Sequence, residues 1–160
     1  MRKVIFVLAF ALVFLPHDPS FAASPPDAFA KLKTLAGEWH EAGDATKKPI
    51  VTYTVRSDGT SLVEEFDDMI SVYHEDGSGI LMTHYCSGNN QPRLRATDFS
   101  GDLGELRFDF VDVTFGKPGS HYVNGLRIRW IDQDRIEQSW YSSSTDEKTK
   151  EFKILLERVR

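Results

Sequence analysis

The sequence predicts an all-β fold: an antiparallel up-and-down β-barrel of about ten strands, entered by one short N-terminal helix. Three observations carry this. Turn chemistry recurs at short intervals after Gly37, where Asp58-Gly59, Asp76-Gly77, Gly101-Asp102, Pro118-Gly119 and Asp132–Asp134 separate runs rich in Val, Ile, Thr, Phe, Tyr and Trp. Asp-Gly between alternating runs is the local signature of a hairpin. Between these runs no apolar pattern of 3.6-residue period is long enough for a crossover helix, so neighbouring strands are antiparallel. Finally, apolar and polar residues alternate along the runs, so each strand has one face to bury. An open sheet of that size exposes a whole apolar face and two unpaired edges, and closure removes both. A two-sheet sandwich is the rival, but sequential short hairpins favour the barrel over Greek-key crossings.

Composition sets the bounds. The 160 residues are 41% apolar, 12% aromatic and 27% charged, with a formal net charge of −5. That suits one globular domain and is too hydrophobic for a disordered chain. The acidic balance, without a basic block, argues against nucleic acid and anionic membrane as partners. A single cysteine, Cys86, excludes an internal disulfide framework and any cysteine-rich zinc site.

Residues 1–22 read as a secretory signal peptide. Arg2 and Lys3 precede the unbroken apolar run Val4 to Leu15. As a helix this run spans about 18 Å, short of a ~30 Å hydrocarbon core. Pro16 stops it, and Ser20-Phe21-Ala22 offers small residues for cleavage. No cysteine stands near that point to take a lipid, so no stable membrane anchor is expected after cleavage. The barrel domain is then residues 23–160, in the periplasm or outside a bacterial cell.

Ser24-Pro25-Pro26-Asp27 reads as a helix start, with Ser24 as cap, Pro25 at the first position and the Asp27 carboxylate reaching back. Phe29, Leu32 and Leu35 form its apolar stripe, and Gly37 ends it. Strands follow at roughly 38–42, 50–56, 61–66, 69–75, 79–87, 93–99, 105–113, 122–131, 135–141 and 151–158. Their parity assigns faces: Val51, Tyr53 and Val55 oppose Thr52, Thr54 and Arg56, while Leu106, Phe108 and Phe110 oppose Glu105, Arg107 and Asp109. Leu126, Ile128 and Trp130 oppose Arg127 and Arg129, and Ile136 and Trp140 oppose Arg135, Glu137 and Ser139.

The lumen is therefore expected to be lined by Phe108, Phe110, Leu126, Ile128, Trp130 and Trp140. Asn124 and Gln138 share that parity, and buried amides need partners, so they pair with each other or await a ligand's polar end. On 79–87, Ile80, Met82, His84 and Cys86 share one face and Leu81, Thr83 and Tyr85 the other. Parity leaves open whether His84 or Tyr85 enters the lumen; the Met/Ile face favours His84. Glu64-Glu65 puts one carboxylate inward in a regular strand. Arg93 and Arg95, flanking the polar loop Ser87–Pro92, are placed to meet an anionic head group. His84-x-Cys86, with His74 or His121, is too sparse for a metal site, and no Gly-x-Ser-x-Gly elbow is present.

Gly37-Glu38-Trp39, opening the first strand after the helix, resembles the Gly-x-Trp signature of lipocalins and the wider calycin superfamily. In those families the Trp packs across the closed end of the barrel beneath a basic side chain from the last strand, and Arg158 stands where that residue is expected. Such a stacking contributes about 0.5–2 kcal/mol. Thr83-His84-Tyr85-Cys86, Asn90-Gln91-Pro92-Arg93 and the hairpin Val72–Gly77 together resemble a lipocalin-like family of secreted bacterial proteins of uncharacterised activity. The resemblance covers Leu35 to about Val159 and implies a calycin-type barrel, without fixing a function. In the related nitrobindin barrels one axial His holds haem, and no position here matches it, so no cofactor is implied.

The expected function is binding of a small, largely apolar or amphipathic molecule in the lumen, with His84, Tyr85, Arg95, Phe108, Phe110, Asn124, Trp130, Gln138 and Trp140 as contacts. Gly37, Trp39 and Arg158 are expected to be structural. The alternatives are an enzyme (isomerase, cyclase or hydrolase) using His84 with an inward Glu64 or Glu65, and a structural or protein-interaction module whose barrel is filled by its own side chains.

Overall fold

The computed structural model describes residues 23–99, 103–116, 120–144 and 149–160. The leader assigned to residues 1–22 and the turns Gly101-Asp102 and Pro118-Gly119 lie outside the described residues. Helix α1 (Pro25–Lys33) precedes ten strands: β1 (Gly37–Glu41), β2 (Val51–Arg56), β3 (Ser61–Phe66), β4 (Met69–Asp76), β5 (Gly79–Tyr85), β6 (Gln91–Ala96), β7 (Glu105–Thr114), β8 (Tyr122–Trp130), β9 (Arg135–Ser143) and β10 (Lys150–Arg158). Every strand pairs antiparallel with its sequence neighbours, and β1 closes on β10. The result is a closed up-and-down barrel without exposed sheet edges.

The helix begins where the sequence marks it, with the Asp27 carboxylate accepting the Ser24 backbone N–H at 3.1 Å. It stops at Lys33, earlier than Gly37. Thr34, Leu35 and Ala36 instead donate to the carbonyls three residues back, a tightening that commonly ends a helix. Strand β6 starts at Gln91, two residues before the expected position, because Cys86 and Asn90 pair as an isolated bridge and shorten the intervening loop.

Inward residues fill most of the barrel. Leu62, Tyr73, Ile80, Met82, Leu94, Leu106, Phe108, Leu126, Ile128, Ile136 and Leu156 are buried with Ala28, Phe29 and Leu32 of α1. The helix covers the end that carries the β2–β3, β4–β5 and β8–β9 turns. There the Lys33 ammonium donates to the Gly59 carbonyl at 3.3 Å, and that of Lys31 lies 5.2 Å over the Trp130 ring. Two irregularities interrupt the alternation. The β6–β7 register shifts between Arg93 and Leu94, and the β8–β9 register shifts between Val123 and Gly125, with Asn124 as the extra residue. Each bulge turns the residues on one side of it to the opposite face.

The covered end is locked by three residues. The Trp39 indole N–H donates to the Leu35 carbonyl at 2.8 Å, and the Arg158 guanidinium lies 4.3 Å from the Trp39 ring centroid. Arg158 also donates to the carbonyls of Ala36 and Thr34, both at 2.8 Å. Gly37 has φ +131°, and a Cβ there would stand 3.0 Å from Arg158 Nη1. Gly37→Ala therefore meets both backbone strain and the guanidinium. Its expected cost is about 1–3 kcal/mol, read as a lower urea midpoint with an unchanged slope.

Candidate functional site

The opposite end of the barrel holds a cavity of about 340 Å³. Phe66, Met69, Val123, Trp140 and Phe152 give it apolar walls, Ser71, His84, Cys86 and Ser142 give it polar atoms, and Asp67 stands at its rim. The strands explain this set. Phe66 and Met69 pair across the two-residue β3–β4 turn, where Asp67 takes the left-handed conformation with φ 57° that Asp tolerates. Ser71 pairs with His84 across β4 and β5, and Val123, Trp140 and Phe152 enter from β8, β9 and β10.

His84 is buried, and its ring lies 5.3 Å from that of Trp140. Nδ1 is hydrogen-bonded to Ser71 Oγ at 3.0 Å, while Nε2 makes no hydrogen bond to a described residue. Burial disfavours the imidazolium and pushes the pKa down to about 4. The histidine is thus neutral at pH 7.

Below it lies a polar knot. Glu64 is buried, and its carboxyl accepts from Tyr53 Oη at 3.0 Å, from Gln138 Nε2 at 2.6 Å and from Tyr73 Oη. Gln138 Nε2 also donates to Tyr53 Oη, and the Trp140 indole N–H donates to Gln138 Oε1 at 3.1 Å. Burial pushes the Glu64 carboxyl up, opposed by these three donors. Burial and the neighbouring Glu64 push both phenols well above their ordinary range, so they stay protonated as donors. Ser71 precedes Tyr73 by two residues on the same face of β4 and meets His84.

The expected contact residues divide. His84 and Trp140 line the cavity, and Gln138 lies beneath it in the knot. Phe108 is buried in the core below, edge-on to Tyr73 at 5.6 Å. The others are elsewhere. Tyr85 is 50% exposed on the outer face, which resolves the parity of β5 in favour of His84. Arg95 is outside as well, paired with the Asp76 carboxylate and donating to its carbonyl at 2.9 Å near the helix end. Arg93 pairs with Asp112. Phe110 is 40% exposed, its ring centroid 5.1 Å from that of Tyr122, where the β7–β8 pairing has already ended at Asp109. Asn124 is itself the bulged residue of β8 and donates to Ser143 Oγ at 2.7 Å, so it meets neither Gln138 nor the lumen. Trp130 lies at the helix end beneath Lys31.

Sequence reasoning did not single out Ser71, Tyr53 and Tyr73 as site residues, nor the walls Phe66, Met69, Val123 and Phe152. The parity of Phe152 with buried Ile154 and Leu156 was a usable signal. Val123 was not legible, since the Asn124 bulge brings it inward. Of the two adjacent carboxylates Glu64 is the inward one. Its oxygens are taken by Tyr53, Tyr73 and Gln138, and it makes no hydrogen bond to His84. Among the described residues no group of three or more His, Cys, Asp or Glu side chains is placed to hold a metal ion. His74 sits on the outer face, bonded to the Glu75 carbonyl at 2.9 Å. No protein-family model matches the chain, and no curated protein matches it.

The depressed His84 pKa couples to folding. Unfolded, the ring takes its proton near pH 6.5, whereas folded it does so near 4. The unfolded state therefore binds more protons in that window. The resulting stability is full above about pH 6.5 and is lost as pH falls toward 4. Glu64 acts in the opposite sense, contributing below its unfolded pKa and losing that contribution as pH rises, and it is common to the native chain and a His84 variant. Urea denaturation of His84→Gln at pH 7, 5.5 and 4.5 is expected to show a shallower loss than the native chain, by up to about 3 kcal/mol across the window.

Proposed function

We propose that this protein is an exported, lipocalin-like barrel that binds a small, largely apolar or amphipathic molecule at the open end of its lumen. The supporting observation is the cavity of about 340 Å³, in which apolar side chains from five strands surround the His84 ring. A concave, mostly apolar wall with few convergent polar groups is the usual build of a small-molecule site, and this volume falls at its small end. The rest of the interior is packed, so the ligand occupies the mouth rather than the full length of the barrel. A larger hollow beside the β3–β4 turn mixes Ile50, Phe66, Met69 and Ile70 with the charged Lys48, Glu65, Asp67 and Asp68, which suits solvent better than an apolar guest.

Residues 1–22 act, in this reading, as a cleaved leader, which places the domain in the periplasm or outside the cell. Binding rests on burial of apolar surface at about 25 cal/mol per Å². A guest burying ~200 Å² gains roughly 5 kcal/mol from that source, which corresponds to weak-to-moderate affinity once association entropy is counted.

The test is titration with an apolar fluorescent probe, together with native mass spectrometry of protein purified from its own envelope. The native chain is expected to bind the probe. Val123→Trp, which fills the mouth, is expected to weaken binding at least about tenfold while leaving the circular dichroism spectrum unchanged. No probe binding and no co-purifying molecule would falsify the reading.

A further inference from the structure

We propose that the cavity takes an organic cation: an ammonium, up to quaternary, on a compact apolar body, with the charged head held at the rim by Asp67 and the aromatic walls. This rests on the reading of the cavity as a ligand site and names the class of ligand it takes.

The charge around the cavity is one-sided. Asp67 is the only charged residue among the described residues that line it, and it is an anion. The pairing of Phe66 with Met69 across the β3–β4 turn holds it at the mouth. No ion pair or side-chain hydrogen bond joins its carboxylate to a described residue. In the adjoining hollow Glu65 and Asp68 outnumber Lys48, so the surroundings do not reverse the sign. His84 is neutral at pH 7 whichever of its nitrogens carries the proton, and adds no positive charge. A carboxylate head group therefore enters without a counter-charge, whereas an ammonium finds one. The net charge of −5 biases the approach of a guest in the same direction.

The walls act in the same sense. Phe66, Trp140 and Phe152 all line the cavity. Aromatic faces attract cations, tryptophan most strongly, and a quaternary ammonium is held this way without any N–H to donate. The Trp140 N–H is spent on Gln138 Oε1 at 3.1 Å, so the indole offers its carbon rings to a guest. Its ring is tilted 47° from that of His84 rather than stacked flat on it. Phe152, the cross-strand partner of Trp140, is 53% exposed and carries aromatic surface from the wall out to the rim. Size completes the description. A cavity of about 340 Å³ has room for about eleven non-hydrogen atoms at ~30 Å³ each. That admits a trimethylammonium head on a single ring or a short chain, and is too small to enclose a long-chain lipid.

Tryptophan fluorescence titration with benzyltrimethylammonium, its uncharged isostere neopentylbenzene and the anion 3-phenylpropanoate tests this, since all three match the cavity in size. The cation is expected to bind tightest, and roughly tenfold or more tighter than the anion. Asp67→Asn preserves the left-handed turn, which Asn tolerates. It is expected to weaken the cation about threefold and to leave neopentylbenzene unchanged. Phe152→Leu keeps an apolar wall and is expected to narrow the advantage of the cation over neopentylbenzene, whereas a merely apolar role lowers both alike. Neopentylbenzene or 3-phenylpropanoate binding as tightly as the cation overturns the charge inference and leaves the cavity reading standing. A cation advantage that survives both substitutions in full overturns it as well. Binding of none of the three overturns both readings.

Discussion

A carboxyl group stands in the middle of this barrel with no cation beside it among the described residues. Burying an isolated carboxylate is among the costliest acts a fold can perform, and it is tolerated when donors replace the lost water. Glu64 receives those donors from three strands: Tyr53 of β2, Tyr73 of β4 and Gln138 of β9. Because β9 lies across the lumen from β2–β4, the knot braces opposite walls at mid-height. It also divides the interior. Toward the helix the lumen is packed with apolar side chains, and toward the mouth the next inward groups are Ser71 and His84, where the cavity begins.

Much of this architecture was legible because it rests on local rules. Asp-Gly turns, strict alternation and the capping sequence Ser24–Asp27 act over a few residues, and all ten strands lie within two residues of their expected starts. The Trp39 and Arg158 pairing is long-range, and no local rule expects it; the Gly-x-Trp resemblance alone pointed to it.

The site was less legible, for two physical reasons. Bulges at Asn124 and opposite Arg93 and Leu94 invert parity, and the one local hint in Tyr122–Leu126, a lone Gly125 inside a strand, does not say which neighbour is displaced. Thus Val123 enters the cavity and Asn124 leaves it. The second reason is that tyrosine reads as apolar in an alternation count. Tyr53 and Tyr73 were indistinguishable from packing residues, although their hydroxyls are what lets Glu64 stay inside. By contrast His84 was assigned to the lumen because Met82 and Ile80 share its face, and burial of those neighbours carries it inward.

The seam of the barrel joins the first strand to the last. A chain emerging with its N-terminus foremost can form eight successive hairpin pairings and still present a raw ribbon, with β1 offering backbone groups to any passing strand. Only the arrival of residues 150–158 ends that vulnerability, and the same segment delivers Arg158 to the helix end. Completion and protection are one event, so the half-made molecule is the form that most needs a chaperone's company.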